Sequence, residues 1–238
     1  MKSLSVIIPT YNEVKNIEPT VEAVLGSLKI AGISDYELLI LDSGSIDGTI
    51  EVIQKLEKEN SNIKTTIFPS GFDLGRKYVE GVRRATKEYV VYIPGDDETD
   101  HNSITRVFQS VGNADIILTY TINPEARSLK RRIISKLYTF ILNTLFGYRI
   151  KYYNGTCVFP AKAVQELSIV SSNFSYMSEI VLRLLTAGYK HKEIGTEIRN
   201  KENEPSHALQ LKGFFDTGKT IMNLFWELRL KKFLEKTR

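Results

Sequence analysis

Residues 89–100 read YVVYIPGDDETD, and the predicted elements are arranged around this stretch. Its first five residues are aromatic or β-branched, and Pro94-Gly95 ends the run, which is the pattern of a short buried strand. An acidic tripeptide, Asp96-Asp97-Glu98, follows at once. In an open parallel sheet, ligands bind beyond the carboxyl ends of the strands. Three adjacent carboxylates repel one another, so we expect either a divalent cation such as Mg²⁺ or Mn²⁺ among them or a solvated acidic turn.

Outward from this stretch, strands and helices alternate along the chain. Apolar runs predict further strands at 4–8, 36–41, 63–68 and 115–119. Helical spacing predicts helices at 17–28, 51–59 and 78–86, with Asn12 as the N-cap of the first. Strands that are apolar on both faces and alternate with helices are typical of a parallel sheet covered on both sides. The sequence therefore predicts an α/β protein with a doubly wound, mostly parallel sheet.

Length and composition bound the class of protein. At 238 residues, 42% of them hydrophobic and 25% charged, the chain is typical of a globular protein with a full core. The net charge of +4 is low and no nucleic-acid motif is present, so we expect no nucleic-acid partner. The single cysteine, Cys157, is typical of a reducing compartment. Because neither a secretory signal nor a run of about 20 apolar residues is recognised, we expect a cytoplasmic protein, attached at most to a membrane surface.

Polar motifs follow three of the predicted strands. The first strand runs into PTYNE (9–13), the second into DSGSIDGT (42–49), and the fourth into the acidic tripeptide. The G-x-G-x-x-G pattern of dinucleotide-binding enzymes and the G-x-x-x-x-G-K-[ST] pattern of P-loop proteins are both absent from the sequence. Both of those classes are therefore disfavoured.

Together, these motifs resemble those of the family 2 glycosyltransferases. VIIPTYNE (6–13) corresponds to a hydrophobic run into P-x-Y-N-E, DSGSIDGT (42–49) to D-D-G-S-x-D-G-T, and Pro94-Gly95-Asp96 to an acidic D-x-D. The resemblance continues to about residue 220, where the pattern is most similar to the dolichyl-phosphate mannose synthase and bacterial polyprenyl-phosphate glycosyltransferase type. It implies a GT-A-type fold, with a nucleotide-sugar-binding domain at 1–120. An acceptor-facing region with amphipathic helices would occupy 121–238.

The resemblance also implies which residues bind the donor, a nucleoside diphosphate-sugar. These nucleotide-binding candidates are Pro9, Tyr11, Glu13, Asp42, Asp73, Arg76 and Gly95. Tyr11 offers a ring face, Glu13 or Asp42 accepts hydrogen bonds from base or ribose, and Arg76 pairs with a phosphate oxygen. The alternatives are a helix-start carboxylate for Glu13, an ordinary turn residue for Asp42 and a solvated helix-start residue for Arg76.

The acidic tripeptide supplies the implied metal site. Asp96 matches a metal ligand of the family, whereas Pro94 stands where the motif has its first Asp. Asp97 and Glu98 are the candidates to replace that carboxylate, and we assign Asp97 to catalysis and Glu98, with Asp96, to the metal. The implied reaction depends on Mg²⁺ or Mn²⁺, which neutralises the diphosphate as it leaves an oxocarbenium-like sugar. The resemblance implies inversion at the anomeric carbon.

The acceptor decides whether the reaction needs a base. A polyprenyl phosphate is already anionic, and Arg131 or Arg132 falls where the lipid-phosphate enzymes bind phosphate. A glycan hydroxyl must lose a proton, and Glu179 matches a segment near the acceptor in the resembled enzymes. We prefer transfer to a polyprenyl phosphate or another membrane-proximal acceptor. Transfer to a glycan hydroxyl, with Glu179 as the base, is the alternative; Glu179 is otherwise a polar residue that opens a helix.

Two segments combine basic and apolar side chains. Residues 127–146 carry five Lys and Arg residues ahead of a broad apolar helix face, and residues 214–238 mix aromatic and basic residues. This pattern favours peripheral contact with the anionic inner face of a membrane over core packing of a lid helix.

Two other classes of protein stay open. A nucleotidyltransferase would have a similar fold, although it usually begins with a Gly-rich basic loop, which PTYNE is not. A catalytically inactive nucleotide-sugar sensor is the other, because Ser43 and Pro94 stand where the family motifs have Asp.

Overall fold

One seven-stranded sheet organises the protein, in the strand order β3-β2-β1-β4-β6-β5-β7. The structure is a computed structural model that describes residues 2–169, 171, 175–199 and 212–231. The strands are β1 Ser3–Thr10, β2 Asp35–Asp42, β3 Ile63–Ile67, β4 Tyr89–Tyr92, β5 Ile116–Thr121, β6 Val158–Pro160 and β7 His191–Thr196. Neighbouring strands are parallel, except that β6 runs antiparallel to both β4 and β5.

Eight α-helices in the described residues surround the sheet. They are α1 Ile17–Ile30, α2 Thr49–Glu59, α3 Leu74–Arg84, α4 His101–Ser110, α5 Leu129–Phe146, α6 Ala161–Gln165, α7 Tyr176–Thr186 and α8 Lys212–Phe225. A π-helical segment, Trp226–Lys231, follows α8, and the predicted C-terminal segment beyond residue 231 lies outside the described residues. Among the described helices, none combines the length and the apolarity needed to cross a bilayer.

Side chains of β1 face two separate cores because successive residues of a strand point to opposite faces. Leu4, Val6 and Ile8 are buried in a core that also contains residues of α1, α2 and α4. Ile7 is buried in the other core, with residues of α3, α5, α7 and α8. Helices therefore cover both faces of a mostly parallel sheet, which confirms the predicted doubly wound α/β fold.

Helix α3 packs very closely on β1 and β2, and a glycine makes this possible. A Cβ atom at Gly81 would lie 2.7 Å from Cγ2 of Ile7 and 2.9 Å from Cδ1 of Leu41. Any larger residue would push α3 away from the sheet. This close approach fixes the first turn of α3 beside the carboxyl ends of β1 and β2.

The predicted start of α3 and the predicted cap of α1 are wrong. Helix α3 begins at Leu74, one turn before the predicted residue 78, and α1 is capped at Asn16 rather than at Asn12. The sequence did not predict β6, which has only three residues, or β7, whose sequence HKEIGT lacks an apolar run. The proposed domain boundary at residue 120 falls inside β5, and β6 and β7 from beyond it complete the same sheet.

Candidate active site

The loops that follow β1 and β2 are joined by hydrogen bonds into one cradle. The backbone N–H of Asn12 donates to Oγ of Ser45 at 2.8 Å, and Oδ1 of Asn12 accepts from the N–H of Ile46 at 3.0 Å. The N–H of Glu13 donates to Oγ1 of Thr49 at 2.8 Å. Asn12 has a left-handed backbone with φ of 56°, a conformation that is uncommon outside glycine and that clusters at functional sites.

Asp42, a predicted nucleotide-binding residue, lies at the base of this cradle. It is fully buried, and its carboxylate accepts from the N–H of Ser45 at 2.8 Å and from Oγ of Ser45 at 2.5 Å. A direct contact with a nucleotide therefore requires Ser45 to move, whereas the present arrangement makes Asp42 the residue that fixes the loop.

Lys77 is a functional candidate that the sequence interpretation missed. Only 5% of the residue is exposed, and its Nζ donates to the backbone carbonyl of Thr10 at 3.0 Å. Burial lowers the pKa of Lys77 to about 8, although the carboxylates of Asp42 and Glu13 act in the opposite direction. Oγ1 of Thr10 is buried and makes no hydrogen bond among the described residues. A buried ammonium thus lies at the carboxyl end of β1, near two predicted nucleotide-binding acids.

The sequence interpretation selected Arg76 of α3 as the residue that pairs with a phosphate. In the structure, Arg76 lies at the surface. Its side chain is mostly exposed, and its Nε lies 3.7 Å from Oδ2 of Asp73, which is also exposed. The helical spacing of α3 distinguishes the buried Lys77 from the exposed Arg76. Lys77 shares the inward face of α3 with Tyr78, Gly81 and Val82, and all four are buried.

The other predicted nucleotide-binding residues lie around the end of β1. Tyr11 is 46% exposed, so its ring is accessible to a ligand. Oε2 of Glu13 accepts from Nδ2 of Asn16 at 2.6 Å at the start of α1. The N–H of Gly95 donates to the carbonyl of Pro9 at 3.2 Å, and a Cβ at Gly95 would lie 3.1 Å from that oxygen. Pro9 and Gly95 therefore join the end of β1 to the loop after β4.

Two carboxylates of the acidic tripeptide, those of Asp97 and Glu98, lie beside cationic side chains. Asp97, with a left-handed φ of 54°, contacts Nη1 of Arg199 and lies 2.8 Å from Nε2 of His101. Oε1 of Glu98 lies 3.6 Å from Nε of Arg127 and 3.9 Å from Nη1 of Arg131.

Oδ1 of Asp96 accepts the N–H of Glu98 at 2.9 Å in a tight local turn. Within the part of the chain that the structure describes, no three His, Cys, Asp or Glu side chains are grouped so as to hold a metal ion. Mg²⁺ with a nucleotide needs only one or two carboxylates, because phosphates and water complete its shell. Asp96 meets this requirement in residue type, and Glu98 lies beside two arginines.

A small cavity of about 70 Å³ lies beside Glu98, between the ends of β4, β5 and β7. Polar side chains in its lining include those of Thr119, Arg127, Tyr152 and Asn154. Nε of Arg127 and Oδ1 of Asn154 are buried and make no hydrogen bond among the described residues, since 3.6 Å to Glu98 is too long for one. Two buried polar atoms without partners indicate that this cavity suits a polar ligand.

Helix α5 begins next to this cavity and carries the predicted basic residues. Arg131 and Arg132 are partly buried in its first turn, and Nε of Arg132 is buried without a hydrogen bond in the described structure. Further along α5, large apolar side chains recur at intervals of four, four and three residues, and each is more than half exposed: Leu129, Ile133, Leu137 and Phe140. We call these four side chains the apolar stripe of α5. Their exposure is at odds with core packing of this face within the described chain.

Glu179, the predicted alternative base, is buried in an ion-pair network. Only 1% of the residue is exposed; Oε2 accepts from N and Oγ of Ser171 at 3.0 and 2.6 Å, and Oε1 accepts from Nε of Arg183 at 2.9 Å. Arg183 also donates to both carboxylate oxygens of Glu227, at 2.8 and 3.0 Å. A general base must reach the proton that it removes. Through Arg183 and Glu227, Glu179 joins α7 to the segment after α8, and its role as a base stays a prediction.

The mostly parallel sheet, with its cradle at the ends of β1 and β2 and its acidic loop after β4, is that of a GT-A glycosyltransferase. Solved structures with this fold include glucosyl-3-phosphoglycerate synthase from Mycobacterium tuberculosis in complex with Mn²⁺, UDP and phosphoglyceric acid. It superimposes with a TM-score of 0.65 at 14% identity, covering 95% of this chain and 78% of that one. Staphylococcus aureus TarS in complex with UDP-GlcNAc also gives 0.65, at 16% identity, covering 95% of this chain and 67% of that one.

The chain belongs to glycosyl transferase family 2, whose family model matches residues 5–170. Glycosyltransferase AglD of Haloferax volcanii is 21% identical over 237 residues, which are 96% of this chain and 38% of the relative. The dolichol-phosphate mannosyltransferase of Saccharomyces cerevisiae is 24% identical over 107 residues, which are 45% of this chain and 40% of the relative. The chain thus spans two fifths or less of the length of these curated relatives.

Proposed function

We propose that this glycosyltransferase moves a sugar from a nucleoside diphosphate-sugar to a lipid phosphate, such as a polyprenyl phosphate, at a membrane surface. One observation carries the proposal: a single helix, α5, joins basic residues beside the acidic loop to an exposed apolar stripe. Arg131 in its first turn lies 3.9 Å from Glu98, and Leu137 and Phe140 are exposed farther along. An acceptor with an anionic head and an apolar chain matches both parts.

The donor is proposed to bind across the cradle and the acidic loop. Tyr11 offers an exposed ring to the base, and Asp96 would bind a metal ion together with the diphosphate. The solved relatives that contain Mn²⁺ or Mg²⁺ together with UDP support a divalent ion in this role. Such an ion, when bound, would act as a Lewis acid that offsets negative charge on the leaving diphosphate.

The acceptor chemistry follows from the side chains near Glu98. An oxygen of a phosphate monoester carries negative charge at neutral pH, so it attacks the anomeric carbon without losing a proton. The bond to the diphosphate breaks on the opposite face of the sugar, which inverts the anomeric centre. Arg127 and Arg131 would hold the acceptor phosphate through charge-assisted hydrogen bonds. The burial and ion pairing of Glu179, the candidate base for transfer to a hydroxyl, support the phosphate acceptor.

Membrane contact is proposed to use the apolar stripe and the basic residues of α5. Apolar side chains lying in the headgroup region, together with Lys and Arg near anionic lipids, hold a protein reversibly at a bilayer surface. Met222 in α8 and Trp226 directly after it are each more than half exposed. Because α5 and α8 pack together, these two residues add large exposed apolar side chains to the helix pair. The lipid acceptor would then meet the active site at headgroup level.

A transfer assay tests the proposal. The purified protein would be offered UDP- and GDP-sugars with Mn²⁺ and one of three acceptors: farnesyl phosphate, farnesol or a soluble oligosaccharide. We expect glycosyl transfer only to farnesyl phosphate. Transfer to the oligosaccharide alone would replace this proposal with the hydroxyl-acceptor enzyme. Donor binding without transfer or hydrolysis, with every acceptor, would identify an inactive sensor.

A further inference from the structure

Glu98 forms an ion-pair cluster that the transfer chemistry described above does not explain. Its carboxylate lies between Arg127 and Arg131, at 3.6 and 3.9 Å, so one negative charge faces two positive ones. Both distances exceed that of a hydrogen bond, and Nε of Arg127 makes no hydrogen bond among the described residues. The side chains of Glu98 and Arg127 are about four-fifths buried. Partly buried arginines need a counter-charge, and here the counter-charge is incomplete and loosely held.

Glu98 lies only two residues after Asp96, so its ion pairs with the arginines affect the candidate metal site. Its backbone N–H donates to Oδ1 of Asp96, so Asp96 and Glu98 belong to one tight turn. The Glu98 side chain also lines the small cavity with Asn154, whose Oδ1 is buried without a hydrogen bond. A carboxylate that leaves the arginines therefore remains next to Asp96.

We propose that Glu98 is a resident counter-ion, which the anionic acceptor displaces from Arg127 and Arg131. This inference rests on the proposed function, because it assumes a phosphate-bearing acceptor. In the free protein, the carboxylate neutralises the arginine pair and keeps it ordered. A phosphate dianion replaces it through shorter, charge-assisted hydrogen bonds, whereas a neutral hydroxyl brings no charge and leaves Glu98 in place. Glu98 thus selects for anionic acceptors, and its release places a second carboxylate beside Asp96 only when the acceptor is bound.

Binding measurements without metal and without nucleotide test this exchange directly. Glu98→Gln removes the competing charge and keeps the shape of the side chain. We expect it to bind farnesyl phosphate about fivefold more tightly than the wild type, the range set by one partly exposed ion pair. Glu125→Gln is the matched control, because Glu125 is an exposed acid in the turn before α5 and forms no ion pair among the described residues. Isothermal titration calorimetry would give the dissociation constants.

The outcomes separate this inference from the proposed function. Equal or weaker farnesyl phosphate binding by Glu98→Gln would overturn the counter-ion role, even if transfer to farnesyl phosphate succeeds. A fivefold gain would support it, even if transfer fails and the proposed function falls. Inorganic phosphate distinguishes the sources of the anion: the same gain with inorganic phosphate shows that the oxyanion suffices, and a gain with farnesyl phosphate alone shows that the lipid is needed.

A double variant confirms which residue Glu98 opposes. Arg131→Ala should weaken farnesyl phosphate binding and reduce the effect of Glu98→Gln, because the two charges interact. Strictly additive effects would contradict the contact. With acceptor bound, the wild type should also bind Mn²⁺ more tightly, as measured by electron paramagnetic resonance, and Glu98→Gln should lack this gain. A gain of equal size in both proteins would overturn the release of Glu98 toward Asp96.

Discussion

Replacement of Lys77 by Met should stabilise the protein, although it removes a hydrogen bond. The pKa of Lys77 is lowered from 10.5 to about 8, chiefly because burial disfavours the charged ammonium. At 1.36 kcal/mol per pH unit, the charged form costs about 3 kcal/mol of folding free energy at neutral pH. Loss of the hydrogen bond to the Thr10 carbonyl offsets about 1 kcal/mol of this. We therefore expect Lys77→Met to raise the free energy of unfolding by about 2 kcal/mol at pH 7.

The pH dependence gives a sharper test than the stability at one pH. A lysine whose folded pKa lies below its unfolded value binds its proton more weakly in the folded state. The contribution of Lys77 to the free energy of unfolding should therefore be lowest below pH 8 and rise between pH 8 and 10.5. Lys77→Met should lack this rise. Urea unfolding at pH 7 and 9.5, with the exposed Lys58→Met as control, would measure both.

Parallel pH profiles for the wild type and Lys77→Met would refute the reasoning, since they would mean that the ammonium is solvated. The same variant also tests why a costly charge is kept. Natural proteins commonly retain destabilising groups where function uses them. If Lys77 serves the donor site, the more stable variant should bind UDP or GDP less tightly, which a thermal-shift titration would detect.

Three further predictions concern metal, fold and membrane. Asp96→Asn should lower turnover by roughly a hundredfold or more and leave the unfolding midpoint unchanged, and full activity in excess chelator would contradict metal dependence. Glu179→Gln breaks a buried ion pair, so it should lower the free energy of unfolding by about 3 kcal/mol and leave turnover per folded molecule unchanged. A selective loss of turnover would instead support Glu179 as the general base. Leu137→Ser with Phe140→Ser should weaken co-sedimentation with anionic vesicles roughly tenfold, whereas Ile30→Ser, an equally exposed site on α1, should have no effect. Vesicle binding that is unchanged in both, or absent from the wild type at low salt, would count against membrane contact.

The sheet and its loops were predictable because their signals are local. The apolar runs of β1, β2 and β4 are continuous, and each ends in a polar motif at the same edge of a parallel sheet. The three-residue β6 gives no comparable signal, because its pairing with β4 and β5 arises only in the assembled sheet.

The partners of the site residues were much harder to predict. Asp97 contacts Arg199, more than a hundred residues later, and Glu98 contacts Arg127 from the turn before α5. Such pairs depend on tertiary packing, which no spacing in one sequence reveals. The contact between His101 and Asp97 likewise exists only in the folded chain. Lys77 is different, because the helical spacing of the apolar residues in α3 predicts which face of the helix is buried.

The position of β6 between β4 and β5 has a consequence for synthesis of the chain. When β4 leaves the ribosome, it can pair with β1 at one edge, but its other neighbour is made about 65 residues later. At roughly 5–20 residues per second, the sequence YVVY keeps an unsatisfied edge for several seconds. Uncharged strands of high β-propensity readily recruit other chains through an open edge. Substitutions that delay the pairing of β6 with β4 should therefore first cause inclusion bodies at high expression. Slower translation at low temperature should increase this aggregation, unless a chaperone covers the open edge of β4.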